Sequence, residues 1–150
     1  MEQQEYIGFD SIKNLWHILL KYKPKKIFLV TGRDSYEKSG AKKLVDKYLS
    51  GYNVVHFSDF EVSPKLKDIE KGIKVFKQNN CDFVIAVGGG SVMDVAKAIR
   101  IFAANKGEPI YYINNKETIQ NRGLPLVAVP TTAGSGAEST HFALVYIDKT

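Results

Sequence analysis

The most informative twelve residues of the chain read Ala86-Val87-Gly88-Gly89-Gly90-Ser91-Val92-Met93-Asp94-Val95-Ala96-Lys97. An apolar strand, predicted over Phe83–Val87, passes through three glycines directly into a helix that is predicted from Ser91 to about Ala104. A turn without side chains lets a ligand approach the backbone, and the free amides at a helix start favour a phosphate. A tight turn capped by Ser91 is the simpler alternative. Three consecutive glycines exceed what a cap requires, because each costs backbone entropy. We therefore favour a phosphate site to which the Ser91 hydroxyl adds a donor.

Two charged residues follow the glycines on the same helix. Asp94 lies in the first turn, where the helix dipole stabilises a carboxylate, and Lys97 has the i to i+3 spacing of an ordinary ion pair. The two side chains could instead present an acceptor and a cation to a ligand at the turn. The glycine spacing itself matches neither the G-x-G-x-x-G fingerprint nor a Walker loop.

Helices and strands alternate along the rest of the chain. Helical apolar stripes are predicted over Ile12–Leu20, Ala41–Leu49 and Leu66–Phe76, the first including Trp16 and the last opened by a Ser63 cap and Pro64. Apolar strands are predicted over Ile27–Val30, Val54–Phe57, Leu126–Val129 and, in a fifth apolar run, Phe142–Ile147; the polar stretch Asn105–Gly123 is predicted as a loop. Continuous apolar strands between amphipathic helices indicate right-handed crossovers. The predicted class is α/β, a Rossmann-like and mostly parallel sheet with helices on both faces.

Composition sets further bounds. The 150 residues are 44% apolar and 25% charged, as in one soluble globular domain. The net charge of +5 is compatible with nucleic-acid binding. However, the lysines are scattered over polar helix faces, so we expect no nucleic-acid partner. No apolar run approaches the ~20 residues that cross a bilayer, and the start lacks a signal-peptide pattern. We expect no membrane association and a cytoplasmic location. The single cysteine, Cys81, is predicted to be a core residue.

A second polar segment follows the predicted strand Leu126–Val129. It places five hydroxyl side chains and two glycines within Thr131–Thr140. Ligands of parallel sheets bind beyond the carboxyl ends of the strands, and the glycine turn also follows such an end. The two segments can therefore border one crevice. A polar surface loop is the alternative for this segment alone, but the combination favours a nucleotide.

Metal and nucleophile sites have weaker support. The three histidines, His17, His56 and His141, show no ligand spacing on one helix face. Glu138 and His141 lie three residues apart, but two ligands are too few for a metal site. Gly134-Ser135-Gly136 is not a G-x-S-x-G elbow. We therefore assign no metal ligand and no catalytic residue within the chain.

The two motifs together resemble the iron-containing (group III) alcohol dehydrogenase family, over the whole chain and in the same order. The first is Gly88-Gly89-Gly90-Ser91-x-x-Asp94-x-Ala96-Lys97, and about 33 residues later comes Pro130-Thr131-Thr132-Ala133-Gly134-Ser135-Gly136-Ala137-Glu138. Glycerol dehydrogenases and dehydroquinate synthases share the fold and the triple glycine. The latter are expected to lack the Asp-x-Ala-Lys continuation and the Thr-Thr-Ala-Gly segment. The resemblance implies a Rossmann-like domain of the dehydroquinate synthase-like type.

The resemblance also implies a cofactor and its binding residues. Gly89, Gly90 and Ser91 would hold the pyrophosphate of NAD or NADP, and Asp94 would contact the nicotinamide carboxamide. The residues matching positions that line the nucleotide and nicotinamide are Thr131, Thr132, Ser135, Thr140 and Leu144. Many members carry an acidic residue after the first strand, where this chain has Gly32-Arg33. A carboxylate would repel a 2′-phosphate, so this departure leaves NAD against NADP open and leans to NADP.

The resemblance implies a catalytic metal as well. In the family, a divalent metal, iron or zinc, is held by an Asp and three His of a C-terminal helical domain that residues 1–150 do not include. These residues are expected to form the NAD(P)-binding domain and to be inactive alone. In the complete enzyme the metal would polarise a carbonyl while the nicotinamide delivers hydride.

The expected substrate is a small alcohol or aldehyde. The segment Glu138–Ala143 is also similar to members that reduce phosphonoacetaldehyde, and the basic balance is compatible with an anionic substrate. A non-catalytic nucleotide-binding module and a synthase of the dehydroquinate type are the alternatives, and a homo-oligomer is left open.

Overall fold

A computed structural model describes residues 3–140 and 143–147. A short 3₁₀ helix over Ser11–Lys13 leads into the first α-helix. The helices are α1 (Asn14–Tyr22), α2 (Ser35–Lys38), α3 (Ala41–Leu49), α4 (Leu66–Gln78), α5 (Gly90–Ala103) and α6 (Pro109–Ile113), and the strands are β1 (Ile27–Thr31), β2 (Val54–Phe57), β3 (Phe83–Gly88) and β4 (Leu126–Pro130). The strands form one parallel sheet in the order β2-β1-β3-β4. The predicted α/β class and parallel sheet are confirmed.

The two central strands, β1 and β3, are buried along their whole length. Successive side chains of a strand point to opposite faces, and each face has its own core. Phe28 and Val30 pack with Ile69 of α4 and Ile99 of α5, whereas Leu29 packs on the other face. Its partners there are Leu15 and Leu19 of α1 and Val45 and Leu49 of α3. This two-sided burial explains why the strands are apolar at every position.

The first helix buries a narrower stripe than its sequence predicts. Leu15 and Leu19 are 2% and 0% exposed, but Trp16 and Leu20 are 50% and 46% exposed. When a nine-residue helix packs against one face of the sheet, only its side chains one turn apart become buried. Cys81, by contrast, is buried as predicted, and burial raises the pKa of its thiol to about 11.

The start of α4 differs from the prediction, because Ser63 does not cap it. Lys65 is the N-cap residue, and the Asp68 carboxylate accepts its backbone N–H at 3.0 Å. The cause is tertiary. Tyr146 donates its backbone N–H to the Pro64 carbonyl and accepts that of Leu66, both at 2.9 Å, which keeps the chain extended through Lys65. Within residues 143–147 this bridge is the only strand pairing, while His141 and Phe142 of the predicted fifth strand lie outside the described residues.

The stretch predicted as a loop, Asn105–Gly123, contains helix α6, so that prediction is wrong over Pro109–Ile113. Pro109 occupies the first turn, where proline is favoured, and Tyr112 stacks on Phe102 with ring centroids 5.8 Å apart. In the described parts of the chain, no helix combines the length and the hydropathy that crossing a membrane would require.

Gly72 lies where α4 packs against α5, and replacing it with alanine should destabilise the protein. Alanine is the better helix former by about 1 kcal/mol. However, a Cβ at Gly72 would overlap the Ile99 side chain and lie 3.1 Å from a ring carbon of Phe57. Ile99 is completely buried and cannot swing aside. Because overpacking costs about 1–3 kcal/mol, we expect a net loss in the free energy of unfolding, measured by urea titration.

The matched control for this prediction is Ile99→Val, which removes the Cδ1 atom that the new methyl group would meet. The double variant should be more stable than Gly72→Ala alone. A Gly72→Ala protein at least as stable as the wild type would contradict the close packing of α4 on α5.

Candidate functional site

The glycine turn joins β3 to α5 with a single intervening residue. Gly88 ends the strand, Gly89 is the N-cap and Gly90 begins the helix. Gly88 has φ +158°, and a Cβ there would lie 2.9 Å from the Cβ of Val92. Gly88 is therefore required by the turn itself.

Gly89 and Gly90 are needed for a different reason. Neither has a positive φ, so an alanine would not strain the backbone. A Cβ at Gly89 would lie 3.1 Å from the Thr132 hydroxyl oxygen, and one at Gly90 would lie 3.6 Å from the Cβ of Ser135. These two glycines let the start of α5 lie close to the loop after β4, Thr131–Thr140, with no side chain between them. We call this loop the crevice loop, and the narrow gap between it and the glycine turn, Gly88–Ser91, the crevice.

Parallel pairing places the two walls of this crevice side by side. Gly88 is the register partner of Pro130, and the Thr131 N–H donates to the Gly88 carbonyl at 3.0 Å. The hydroxyl-rich loop therefore leaves the sheet directly beside the glycine turn, as the positions of the two motifs predict. Thr131 is half-buried, while Thr132, Ser135 and Thr140 are exposed.

The start of α5 offers backbone donors to this crevice. Gly89 has no side chain, and no side chain caps the helix within the described residues. The Ser91 hydroxyl donates to the Val62 carbonyl, which ties the loop after β2 to the first turn of α5. Unsatisfied amides and the helix dipole make such a terminus suited to a phosphate group. Ser91 is thus already used in part to hold the neighbouring loop.

The predicted pair between Asp94 and Lys97 is present, with 3.3 Å between charged atoms and only 15% and 10% of the side chains exposed. Lys97 also donates to the Ala137 carbonyl at 2.9 Å and to the Thr140 hydroxyl at 3.1 Å. This Lys97 clamp holds the far end of the crevice loop against α5. Sequence reasoning missed it, because the partners lie 40 and 43 residues away.

Gly32 borders the crevice on the side away from β4. Thr31 pairs with Val87 in register, so Gly32 follows β1 beside Gly88. A Cβ at Gly32 would overlap the Ser35 hydroxyl. The adjacent Arg33 donates to Asp59 at 2.6 Å and to the Ser58 carbonyl at 3.3 Å. Arg33 is therefore already paired.

Leu144 is 67% exposed. It lies in the segment that Tyr146 joins to the start of α4. The loop that precedes α4 also contains Val62, whose carbonyl accepts the hydrogen bond from Ser91. Leu144 is therefore in a different segment from the four hydroxyl residues Thr131, Thr132, Ser135 and Thr140, which belong to the crevice loop itself.

A separate cavity of about 340 Å³ lies near Arg33, between α2, α3 and β2. His56 Nε2 lies 2.7 Å from the Thr31 hydroxyl, and the Tyr36 hydroxyl donates to Asp46 at 3.0 Å. Burial lowers the pKa of His56, which favours the neutral ring at pH 7. These pairings hold β1, β2 and the two helices together.

Among the described residues, the side chains considered for a metal lie in different parts of the chain: His17 in α1, His56 in β2 and Glu138 in the crevice loop. Across residues 3–140 and 143–147, no three His, Cys, Asp or Glu side chains come together in a way that could hold a metal ion. Glu138 has one buried carboxylate oxygen with no hydrogen-bond partner among these residues, and His141 lies outside them.

Fold and crevice together define an α/β protein of Rossmann-like architecture, with the glycine turn and the crevice loop at the carboxyl edge of a parallel sheet. The profile of the family described as iron-containing alcohol dehydrogenase matches residues 3–150. The chain belongs to the iron-containing alcohol dehydrogenase family, which confirms the resemblance drawn from the two motifs.

Relatives of known activity support this assignment. The chain is 34% identical over 141 residues to choline dehydrogenase of Bacillus subtilis (strain 168), covering 92% of this chain and 35% of that protein. It is 34% identical over 142 residues to NAD-dependent methanol dehydrogenase of Bacillus methanolicus, covering 93% and 36%. The crystal structure of sulfoacetaldehyde reductase from Bifidobacterium kashiwanohense in complex with NAD+ is similar, with a TM-score of 0.77, 27% identity and coverage of 93% and 39%. The chain thus spans little more than a third of each relative's length.

Alanine substitutions should separate the two roles of the glycines. Gly88→Ala should lower the free energy of unfolding by about 1–3 kcal/mol, because the methyl group would meet Val92. Gly90→Ala should leave stability unchanged or raise it by up to about 1 kcal/mol, since alanine favours the helix. Urea unfolding of both variants measures the difference. Equal losses would mean that Gly90 is also required by the turn.

Removing the Lys97 clamp should loosen the crevice loop. In Lys97→Met we expect faster hydrogen exchange at the Ser139 amide, which donates to the Gly136 carbonyl at 3.0 Å. Hydrogen bonds to charged groups contribute about 1.5–3 kcal/mol, so the exchange rate should rise about tenfold or more.

Two controls accompany this measurement. Lys97→Arg keeps a cation and should restore part of the protection. In Lys97→Met, the half-buried Asp94 carboxylate loses its pairing with Lys97. Adding Asp94→Asn removes that charge, so the double variant shows the effect of the lost clamp alone. Unchanged exchange at Ser139 in a folded Lys97→Met protein would show that the clamp does not hold the loop.

Proposed function

We propose that residues 1–150 form the NAD(P)-binding domain of a dehydrogenase or reductase that acts on a small alcohol or aldehyde. The observation that carries this proposal is the pair of glycines, Gly89 and Gly90, which leave the backbone of the first turn of α5 uncovered by side chains of their own beside the crevice loop. Membership of the family and the NAD-dependent relative support the choice of ligand.

The residues at the crevice fit a dinucleotide. The pyrophosphate would be held by backbone amides at Gly89, Gly90 and Ser91, where the helix dipole favours negative charge. The Ser91 hydroxyl has one proton to donate, so on binding it would donate to the pyrophosphate in place of the Val62 carbonyl. The hydroxyls that would line the nucleotide and nicotinamide are those of Thr131, Thr132, Ser135 and Thr140, with Leu144 as the apolar neighbour.

The nicotinamide end of the cofactor would lie against α5. Asp94 would accept the carboxamide N–H, and Lys97 fixes the position of that carboxylate from 3.3 Å away. Lys97 also holds Ala137 and Thr140 in place, so one residue orders both sides of the site. When bound, the cofactor supplies or accepts a hydride. The chain's own residues bind it, orient it and exclude water from one side.

The metal that the family name implies does not fit the described residues, because these contain no group of three candidate ligands. We derive no step through a metal held by them. The relatives are close to three times as long as the aligned region. We therefore propose that a further helical domain holds the metal and that residues 1–150 alone do not turn substrate over.

The names of the relatives support a proposal for the substrate class. Choline, methanol and sulfoacetaldehyde, which appear in the names of similar proteins, are all small, and the last is an anion. We propose a small alcohol or aldehyde, with an anionic aldehyde such as phosphonoacetaldehyde as the specific candidate to assay.

Filling the crevice should abolish cofactor binding. Gly89→Val places two methyl groups toward Thr132, so NADH should no longer bind, and Gly89→Ala should give an intermediate loss. Ser91→Ala removes one donor worth ~0.5–1.5 kcal/mol, which is roughly a threefold to tenfold loss in affinity. Fluorescence titration of NADH measures all three.

Circular dichroism and urea unfolding establish that each variant is folded. The backbone at Gly89 has φ −89°, which a valine can adopt, so the fold should survive. A folded Gly89→Val protein that binds NADH as tightly as the wild type would exclude the crevice as the pyrophosphate site.

A further inference from the structure

The order of the strands determines what lies on either side of the glycine turn. Strand β3 has β4 on one side and β1 on the other, with β2 beyond β1. The crevice loop borders the turn on the β4 side. On the opposite side, the residues after β1 and β2 come next along the carboxyl edge. A dinucleotide whose pyrophosphate lies at the turn must extend one nucleoside in each direction.

The carboxyl ends of β1 and β2 bring three charged side chains together. Arg33 follows β1 and donates to the Asp59 carboxylate at 2.6 Å, and Asp59 follows β2. Lys71 of α4 pairs with the other oxygen of the same carboxylate. The exposed fractions of the three side chains are 63%, 54% and 52%. We call these residues the Asp59 cluster.

The Asp59 cluster lies beside Gly32, the residue that follows β1. Gly32 has no side chain, and a Cβ there would require the Ser35 hydroxyl to rotate away, so this position offers only backbone to a ligand. The carboxylate that both Arg33 and Lys71 contact is supplied by Asp59, which follows the next strand. The carboxylate of Asp34, in the same turn as Arg33, lies 3.9 Å from Lys38 Nζ instead. A carboxylate in such a place can accept hydrogen bonds from a ribose diol, while an arginine accommodates a 2′-phosphate.

We propose that Asp59 is the residue that sets the choice between NAD and NADP, an inference that rests on the proposed function. Asp59 neutralises one of two cations, so a 2′-phosphate has to compete with it for Arg33 and Lys71. A ribose 2′-hydroxyl meets no such competition, because it can donate to the carboxylate. The protein is therefore specific for NAD, in contrast to the leaning toward NADP that Gly32-Arg33 alone suggests.

The charge state of the cluster is consistent with this role. The hydrogen bond and charge of Lys71, and then those of Arg33, lower the pKa of Asp59. The carboxylate is therefore ionised throughout the neutral range. Since all three side chains are more than half exposed, salt should weaken the discrimination against NADPH.

The test is a set of NADH and NADPH fluorescence titrations on the protein expressed at the full length that its gene encodes. The wild type should bind NADH more tightly than NADPH. Asp59→Asn should strengthen NADPH binding by about tenfold, because a freed guanidinium gains a charge-assisted bond. Adding Arg33→Gln to Asp59→Asn should remove that gain.

The matched control is Glu70→Gln, which removes one negative charge from the exposed face of α4 next to Lys71. It should leave the ratio of the two affinities unchanged, since long-range charge alone is not the cause. Asp59→Ser serves as a second variant, and thermal unfolding shows that each protein is folded.

The outcomes separate the two proposals. A wild type that prefers NADPH, an Asp59→Asn protein with an unchanged affinity ratio, or a gain that survives Arg33→Gln would overturn the role of Asp59 while leaving dinucleotide binding intact. Failure of the wild type to bind either cofactor would overturn the proposed function and, with it, this inference.

Discussion

The whole site depends on the parallel pairing of β3 with β4. This pairing ends at Gly88 and Pro130, and one further hydrogen bond joins the Thr131 N–H to the Gly88 carbonyl at 3.0 Å. Because parallel strands end at the same edge of a sheet, the glycine turn and the hydroxyl-rich loop must face one another there. A shift of one residue in this register would turn the apolar side chains of β4 to the opposite face. The register thus fixes the core and the crevice together.

Much of the fold can be predicted from the sequence because its signals are local. The apolar blocks Ile27–Val30 and Phe83–Val87 are long enough for strands and too short for helices, and their continuous hydrophobicity indicates burial on both faces. Helix starts are harder. Ser63-Pro64 carries the usual starting signals, yet the bridge to Tyr146 keeps the chain extended as far as Lys65. That bridge joins residues 81 positions apart in the printed sequence, and no local pattern contains it.

The adjacency of the two motifs was also predictable from the sequence, whereas ligand binding between them stays a prediction. Three consecutive glycines exceed the needs of a turn, and the structure shows that they differ. At Gly88 a side chain would conflict with the turn itself, whereas at Gly89 and Gly90 it would lie against the crevice loop. The sequence cannot make this distinction, since it depends on where Thr132 and Ser135 lie. The partners of Lys97 and Arg33 were missed for the same reason. Asp59 lies 26 residues from Arg33, and its position is decided by the pairing of β1 with β2.

Burial decides what the two basic side chains of α5, Lys97 and Arg100, can do. Lys97 is only 10% exposed, so its charge must be matched by nearby acceptors, and it is: Asp94, the Ala137 carbonyl and the Thr140 hydroxyl surround it. Arg100 is similarly committed to the Leu124 and Arg122 carbonyls at 2.9 and 3.0 Å, and burial lowers its pKa.

The net charge of +5 is therefore a poor guide to anion binding at this site. Lys97 and Arg100 hold loops, and Arg33 and Lys71 share one carboxylate. In the proposed function, recognition of a pyrophosphate would therefore depend on backbone amides at the start of α5, which carry partial charge without a side chain. Such a role would account for glycine, rather than lysine or arginine, at the centre of the crevice.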